Sequence, residues 1–372
     1  MASPATPERA MTSRPAPDLS IIIVNWNVRE LLRACLASLT KDERRKTRDD
    51  SPSSFVLRPS SLEIIVIDNA SSDGSAAMVA NEFPAVQLIA NTENRGFSGG
   101  NNQGIAVAQG RYIFFVNPDT VIIEDALAKL VRYLAAHPQV GVVGPQLRYG
   151  DGSQQSSRRR FPTFTTALFE STPLAWHWPG NPWARWYRME DGQTFEVSQT
   201  SKVSRWYLME DGQTFEASET SKVSPGEEVD WLVGAALMTR RAVLEQVGGF
   251  DEGYFMYSEE LDWCRRVKAA GWQIVYLPDA QIVHYEGKSS EQVVAARHIR
   301  FQTSKIRYFR KFHGALAAKV LRIFILAAFA VEWGLEAVKW LLGSKRPLRR
   351  NRMTAYGQWL ASGLGPGRQV NS

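Results

Sequence analysis

LSIIIVN at Leu19–Asn25 and LEIIVID at Leu62–Asp68 decide the fold. Each is a short β-branched run without polar alternation, the pattern of a strand buried on both faces of a parallel sheet. Between them, residues 28–39 place Leu31, Leu32, Cys35, Leu36 and Leu39 at helical spacing. A helix from about Ser75, a strand at 86–90, a helix from about Gly99 and a strand at Tyr112–Val116 continue the alternation. Strand and helix in turn, with short links, specify an α/β fold: a Rossmann-like, mostly parallel central sheet with helices on both faces. Ligands of such sheets collect at the carboxyl ends of the strands. Further on, 229–233 reads as a strand and 258–269 as a helix. Short strands are expected at 272–277 and 280–284, and helices at 292–312 and 316–342.

Composition sets the frame. The chain has 372 residues, 44% hydrophobic and 22% charged, as expected of a folded globular protein. Its two cysteines, Cys35 and Cys264, exclude a disulfide framework or cysteine metal cluster and suit a reducing cytoplasm. Residues 1–18 are rich in Pro, Ala, Ser and Thr and lack the apolar core of a signal peptide, so a disordered leader is expected. Residues 40–61, charged and Ser/Pro-rich, read as a surface insertion. The net charge of +6 is uneven: residues 297–352 carry 14 Lys or Arg against 2 Glu, so this stretch is +12 and the rest is −6. A basic end on an acidic body suits an anionic partner, or is a solvated helix face.

Residues 185–204 return as 205–224 with changes at three positions. Two copies are too few for a solenoid. A duplication inside a tolerated loop accounts for them. An aromatic ribbon gripping an acceptor through Trp186, Tyr187, Trp206 and Tyr207 is the functional alternative.

The chemistry gathers at strand ends. Asn25 and Asn27 leave the first strand, and Asp68 and Asn69 the second, at the same sheet edge. A carboxylate there is placed to accept hydrogen bonds from a ribose or base, or serves as a turn and cap. In Asn94-Arg95-Gly96-Phe97-Ser98-Gly99-Gly100 the glycines let backbone approach a ligand, and Arg95 offers a bidentate grip on phosphate. The alternative is a tight connection without a ligand. Pro118 stops the next strand and leaves Asp119 at its end. There it can hold a divalent cation against a diphosphate, or cap a helix from about Glu124. Glu259, Glu260 and Asp262 stand among aromatics, with Glu259 and Asp262 on one helical face and Glu260 on another. Crowding and desolvation raise carboxyl pKa values, which suits a general base, and acidic residues also favour a helix N-terminus. His284, after a short strand, is a ligand or a core histidine.

Together these segments resemble the family 2 glycosyltransferases, particularly the bacterial rhamnosyltransferase-like branch. The matching stretches are 21–27, 64–75, 94–104, 117–120, 230–235, 248–265 and His284, in family order across roughly residues 20–313. The resemblance implies a GT-A fold over 19–313, a nucleotide-diphosphate sugar donor, Mg²⁺ or Mn²⁺, and inversion by direct displacement. It places Asp68 against the nucleotide, with Asn25, Asn27, Asn69, Arg95, Gly96, Gly99, Asn117 and Gly234 as further donor contacts. Asn117-Pro118-Asp119 stands at the family's Asp-X-Asp position, where Asn replaces the first carboxylate and leaves Asp119 to hold the metal. His284 falls where some relatives place another metal ligand. Glu259-Glu260 stands at the Glu-Asp motif whose second member is the base, which implies Glu260, with Asp262 as the fallback. A sugar such as rhamnose would pass to a lipid-linked or polysaccharide acceptor in cell-surface glycan synthesis, with no nucleic acid involved.

Residues 314–372 form a C-terminal appendage. In 316–342 the charges Lys319, Arg322, Glu332, Glu336 and Lys339 fall within about 160° of helical arc, favouring a helix that lies in a membrane interface. Lys345, Arg346, Arg349, Arg350 and Arg352 then suit an anionic membrane surface, which implies a peripheral enzyme at the cytoplasmic face. Docking of the helix on the protein's own core is the competing reading. A nucleotidyltransferase would need phosphate-gripping basic residues near the first strand, and 21–27 has none. A sugar- or nucleotide-binding scaffold on a degenerate fold would have lost the Asp119 and 259–262 carboxylates, which are present.

Overall fold

The computed structural model describes residues 17–42, 61–172, 178, 180–190, 226–285, 294–343 and 345–365. The leader, the 40–61 insertion and the duplicated 185–224 loop, apart from their edges, lie outside the described residues, as do Trp206 and Tyr207.

The chain opens with β1 (Leu19–Asn25), α1 (Arg29–Asp42), β2 (Leu62–Asp68), α2 (Ser75–Glu82), β3 (Gln87–Ala90), α3 (Gly96–Val107) and β4 (Tyr112–Val116). It continues through β5 (Thr120–Ile122), α4 (Ala126–Ala136), β6 (Val140–Arg148), β7 (Gln154–Gln155), β8 (Arg158–Arg159), α5 (Phe164–Glu170) and α6 (Pro182–Tyr187). Next come β9 (Glu227–Glu228), β10 (Trp231–Leu232), β11 (Ala236–Arg240), α7 (Arg241–Val247), α8 (Glu259–Ala269) and β12 (Gln273–His284). Two helices end it: α9 (Val294–Leu341) and α10 (Arg346–Ser362).

The main sheet runs β3-β2-β1-β4-β11-β6-β12-β5. Along this path β11 and β5 are antiparallel to their neighbours and the other six strands point one way. This is the mostly parallel arrangement expected. In β1, Ile21 and Ile23 pack with Leu32, Leu36 and Leu130 on one face, while Ile22 packs with Phe115 and Trp263 on the other. Successive side chains of a strand point to opposite faces, so an all-apolar run is what two helical layers require. α3 lies close on the sheet: a Cβ on Gly104 would come within 2.4 Å of Ile22.

Several expectations change. Of the expected strand at 229–233 only Trp231–Leu232 forms, as β10, with β9 just before it, and β6 and β11 occupy the sheet centre. The two short strands at 272–284 are one strand, β12, with a register shift between Leu277 and Gln281. Pro118 does end β4, but β5 intervenes before α4, which starts at Ala126. α9, by contrast, holds the two helices expected at 292–312 and 316–342, which meet at a kink at Gly314, where φ 90° and ψ 166° are non-helical.

Beyond the kink α9 packs on α10, and the basic cluster expected as a tail belongs to this second helix. Part of the polar stripe of α9 turns inward: Glu336 is 2% exposed and accepts from Arg349 and Arg352, and Arg322 donates to the Gly363 carbonyl, while Lys319 and Lys339 stay exposed. The outward face is apolar, carrying Leu316, Val320, Ile323, Val331, Leu335, Val338 and Leu342, the last 79% exposed. By length and composition α9 could also cross a membrane.

Candidate active site

The carboxyl ends of β1, β2 and β4 open into a cleft of about 240 Å³. Asn25, Asn69, Gly96, Asn117, Asp119, Gly234, Glu259, Glu260 and His284 line it. Residues far apart in sequence thus meet at one sheet edge, as the topology demands.

Asp119 and His284 meet because β5 pairs antiparallel with β12 in the register Thr120↔His284. His284 Nε2 lies 3.3 Å from Asp119 Oδ1, and both residues are buried. His284 Nδ1 is 3.0 Å from Gln155 Oε1. An amide oxygen only accepts, so Nδ1 carries the proton and Nε2 presents its lone pair. Asp119 Oδ1 has no hydrogen-bond partner. Two acceptor atoms therefore face each other across 3.3 Å, an arrangement that a cation between them would satisfy. The donor set, a carboxylate oxygen and an imidazole nitrogen, fits Mn²⁺ or Mg²⁺ with phosphate oxygens completing the shell. Among the described residues no group of three or more His, Cys, Asp or Glu could hold a metal alone.

Glu259 and Glu260 begin α8, just after Tyr257 and Ser258, whose φ values are 72° and 64°. Left-handed backbone at two successive non-glycine residues is costly, and the turn presents both glutamates to the cleft. Each has a carboxylate oxygen without a hydrogen-bond partner. Burial pushes both pKa values up; Glu260's charge adds to the rise at Glu259, and backbone amides, including that of Gly234, partly offset it at Glu260.

Asp262 does not line the cleft. It is fully buried, accepts from Tyr254 Oη at 3.1 Å and Arg266 Nε at 2.9 Å, and pairs with Lys311 Nζ at 2.7 Å. Helical spacing groups it with Glu259, but the cleft is lined by Glu259 and Glu260. Asp68 lies behind the lining: Asn25 Nδ2 donates to it at 2.8 Å and the Ser71 amide at 3.0 Å. Asn27 similarly accepts from the Ser72 amide at 2.7 Å. Asp68 and Asn27 thus organise the loop over Asn25 and Asn69. Arg95 is exposed and outside the lining, and Gly99 packs near Arg95 Cβ. Gly96 has a φ of 73°, and a Cβ there would come within 2.4 Å of the Phe255 carbonyl, so the close approach it permits is to the chain itself.

Sequence reading missed two cleft residues, Arg297 and Arg300, near the start of α9. They belong to the basic C-terminal stretch, and only the return of the chain to the cleft could reveal them.

Glycosyl transferase family 2 matches residues 20–203, and Glycosyl transferase family group 2 matches residues 193–362. An N-acetylglucosaminyl-diphospho-decaprenol L-rhamnosyltransferase of Mycobacterium tuberculosis is 29% identical over 253 residues, 64% of this chain and 72% of that protein. Rhamnosyltransferase WbbL of Escherichia coli is 42% identical over 57 residues, 15% of this chain and 22% of that protein. Among solved structures, a mannosyltransferase of Pyrobaculum calidifontis in complex with GDP-Man and Mn²⁺ is 18% identical, with a TM-score of 0.49 over 96% of this chain and 88% of that one.

Proposed function

The chain belongs to glycosyl transferase family 2, and from that premise we propose that it is an inverting, metal-dependent enzyme. It moves a sugar, with L-rhamnose as the first candidate, from a nucleoside-diphosphate donor to a hydroxyl of a lipid-linked or polysaccharide acceptor. The observation that carries the reading is one cleft flanked by the Asp119–His284 pair and by Glu260. A divalent cation held by Asp119 and His284 would neutralise charge on the departing diphosphate.

Glu260 takes the acceptor hydroxyl proton on its unpartnered oxygen as the hydroxyl oxygen attacks the anomeric carbon. The bond from that carbon to the diphosphate oxygen breaks, and the nucleoside diphosphate leaves on the opposite face. A raised pKa makes Glu260 a stronger base than an ordinary carboxylate. Asn25, Asn69, Asn117 and the Gly96 and Gly234 backbone hold the donor. Asp68, Asn27 and Asp262 act by positioning the chain around the cleft.

The outward apolar face of α9, beside Lys345, Arg346 and Arg350 of the α9–α10 hairpin, rests on an anionic bilayer, with the enzyme peripheral at its cytoplasmic face. The mycobacterial relative, whose name carries a diphospho-decaprenol substrate, supports a lipid-linked acceptor. The test is to offer purified protein a panel of nucleotide-sugars with Mn²⁺ or Mg²⁺ and a lipid-diphosphate acceptor, and to read the product linkage by NMR. A product with the donor's anomeric configuration, or full turnover in chelator, overturns the mechanism.

A further inference from the structure

The two halves of α9 meet at Gly314, and a second cavity of about 200 Å³ is lined from both of them. Arg307 and Arg310 line it from the first half, three residues apart and so on one helix face. Lys319 and Arg322 line it from the second half at the same spacing. Ala315 and Ala318 add only methyl groups to the wall, which leaves room for a ligand. No Asp or Glu lines this cavity. Arg307 Nη2 pairs with Asp251 Oδ1 at 3.0 Å, and its buried Nε has no hydrogen-bond partner. Arg322 Nε donates at 2.7 Å to the Gly363 carbonyl, a neutral partner. Arg310 and Lys319 are exposed. Among the described residues no ion pair reaches Arg310, Lys319 or Arg322.

Three cations without a counter-charge stand around one small cavity, beside a fourth with an unused N–H. Like charges held together repel, and an anion between them offsets that cost. A phosphate group brings both charge and several acceptor oxygens, which guanidiniums grip bidentately. A neutral sugar brings no charge. We propose that this elbow of α9 is a binding site for a phosphate group, separate from the catalytic cleft, with which it shares no lining residue. The surroundings favour a phospholipid headgroup as its source. Leu316, Val320 and Ile323, interleaved in sequence with the cavity residues, are exposed on the outward apolar face where lipid chains would lie. A soluble phosphate ester is the other source. The site stands independently of the chemistry proposed in the cleft; only the lipid source rests on the membrane placement of α9.

The experiment compares the full-length protein with two variants. Arg310→Gln/Lys319→Gln alters the elbow; Lys345→Gln/Arg350→Gln removes the same charge from the hairpin, outside the cavity. One arm titrates glycerol 3-phosphate in solution by calorimetry. The other measures co-sedimentation with phosphatidylcholine vesicles containing phosphatidylglycerol. Losing two charge-assisted contacts should weaken phosphate binding by at least about 10-fold. Soluble binding that falls by that factor in the elbow variant and survives in the hairpin variant supports the site and admits a free phosphate ester. Vesicle binding that falls further in the elbow variant than in the hairpin variant supports the site and assigns it a lipid headgroup. If neither difference is seen, the proposal is overturned; equal vesicle losses would mean that the bilayer reads surface charge alone. Should the elbow variant unfold, Ala315→Leu replaces it, since it fills the cavity and keeps every charge. The same loss is then expected, and undiminished binding in both arms overturns the site.

Discussion

His284 Nε2 points at Asp119 Oδ1 from 3.3 Å because two antiparallel strands, β12 and β5, run in a register that sets the two residues side by side. Gln155 fixes the imidazole from behind. The pair is therefore built by sheet geometry before any ligand arrives.

Asp119→Ala should remove metal-dependent turnover while the fold survives, because the side chain has no hydrogen bond from Oδ1 to lose. A cation contributes several kcal/mol of charge stabilisation, so turnover should fall at least about 100-fold. Initial rates with and without chelator check this, with circular dichroism as the control. Wild-type rates in the variant would refute the assignment.

Glu260→Gln keeps size and removes basicity. Its kcat should drop by about 10²–10⁴-fold with donor affinity retained. Asp262→Asn should act through the fold instead, since Tyr254, Arg266 and Lys311 all converge on that carboxylate. Breaking such a buried cluster costs roughly 3–5 kcal/mol. A stable Asp262→Asn enzyme that had lost only kcat would move the base to Asp262.

Burial raises Glu259 well above the usual carboxylate range. In the unfolded chain it ionises near about 4.3. Between those values the folded state binds the extra proton, so its contribution to stability declines as pH rises through the window. Glu259→Gln abolishes that decline. Its Tm should exceed wild type by roughly 2 °C or more at pH 7, and the two should converge below about pH 4. Equal pH profiles of Tm would contradict this.

Asp251 behaves in the opposite sense. Burial works against its charge, yet the Lys311 ammonium, the Gly253 amide and the Arg307 guanidinium hold its pKa down at about 2. That stability is present above the ordinary carboxylate range and is lost as pH falls towards about 2. Asp251→Asn should lower Tm at pH 7 and leave it unchanged near pH 2. A loss that persists at the lowest pH would instead mark a packing defect.

Much of the first half of the fold could be read from sequence, because β1, β2 and β4 are apolar runs that need helices on both faces. β12 was harder: Pro278 and Asp279 look like a turn, whereas the strand continues through an irregularity there. The expected glutamates do face the cleft, but ideal helical spacing grouped Glu259 with Asp262 and missed the left-handed Tyr257–Ser258 turn. Arg95 was the natural phosphate ligand on local chemistry alone. Arg297 and Arg300 reach the cleft only through tertiary folding, which neither periodicity nor local motif records.

The kink at Gly314 joins the cleft-facing part of α9 to its apolar arm. Each residue of a helix advances the chain by about 1.5 Å and turns it by about 100°. One residue inserted within the arm, between Arg322 and Glu336, would therefore swing the apolar stripe beyond it by more than a quarter turn and carry Arg322 away from the Gly363 carbonyl. The arm is set by angular phase: changing its length by one residue alters which side it shows far more than how far it reaches.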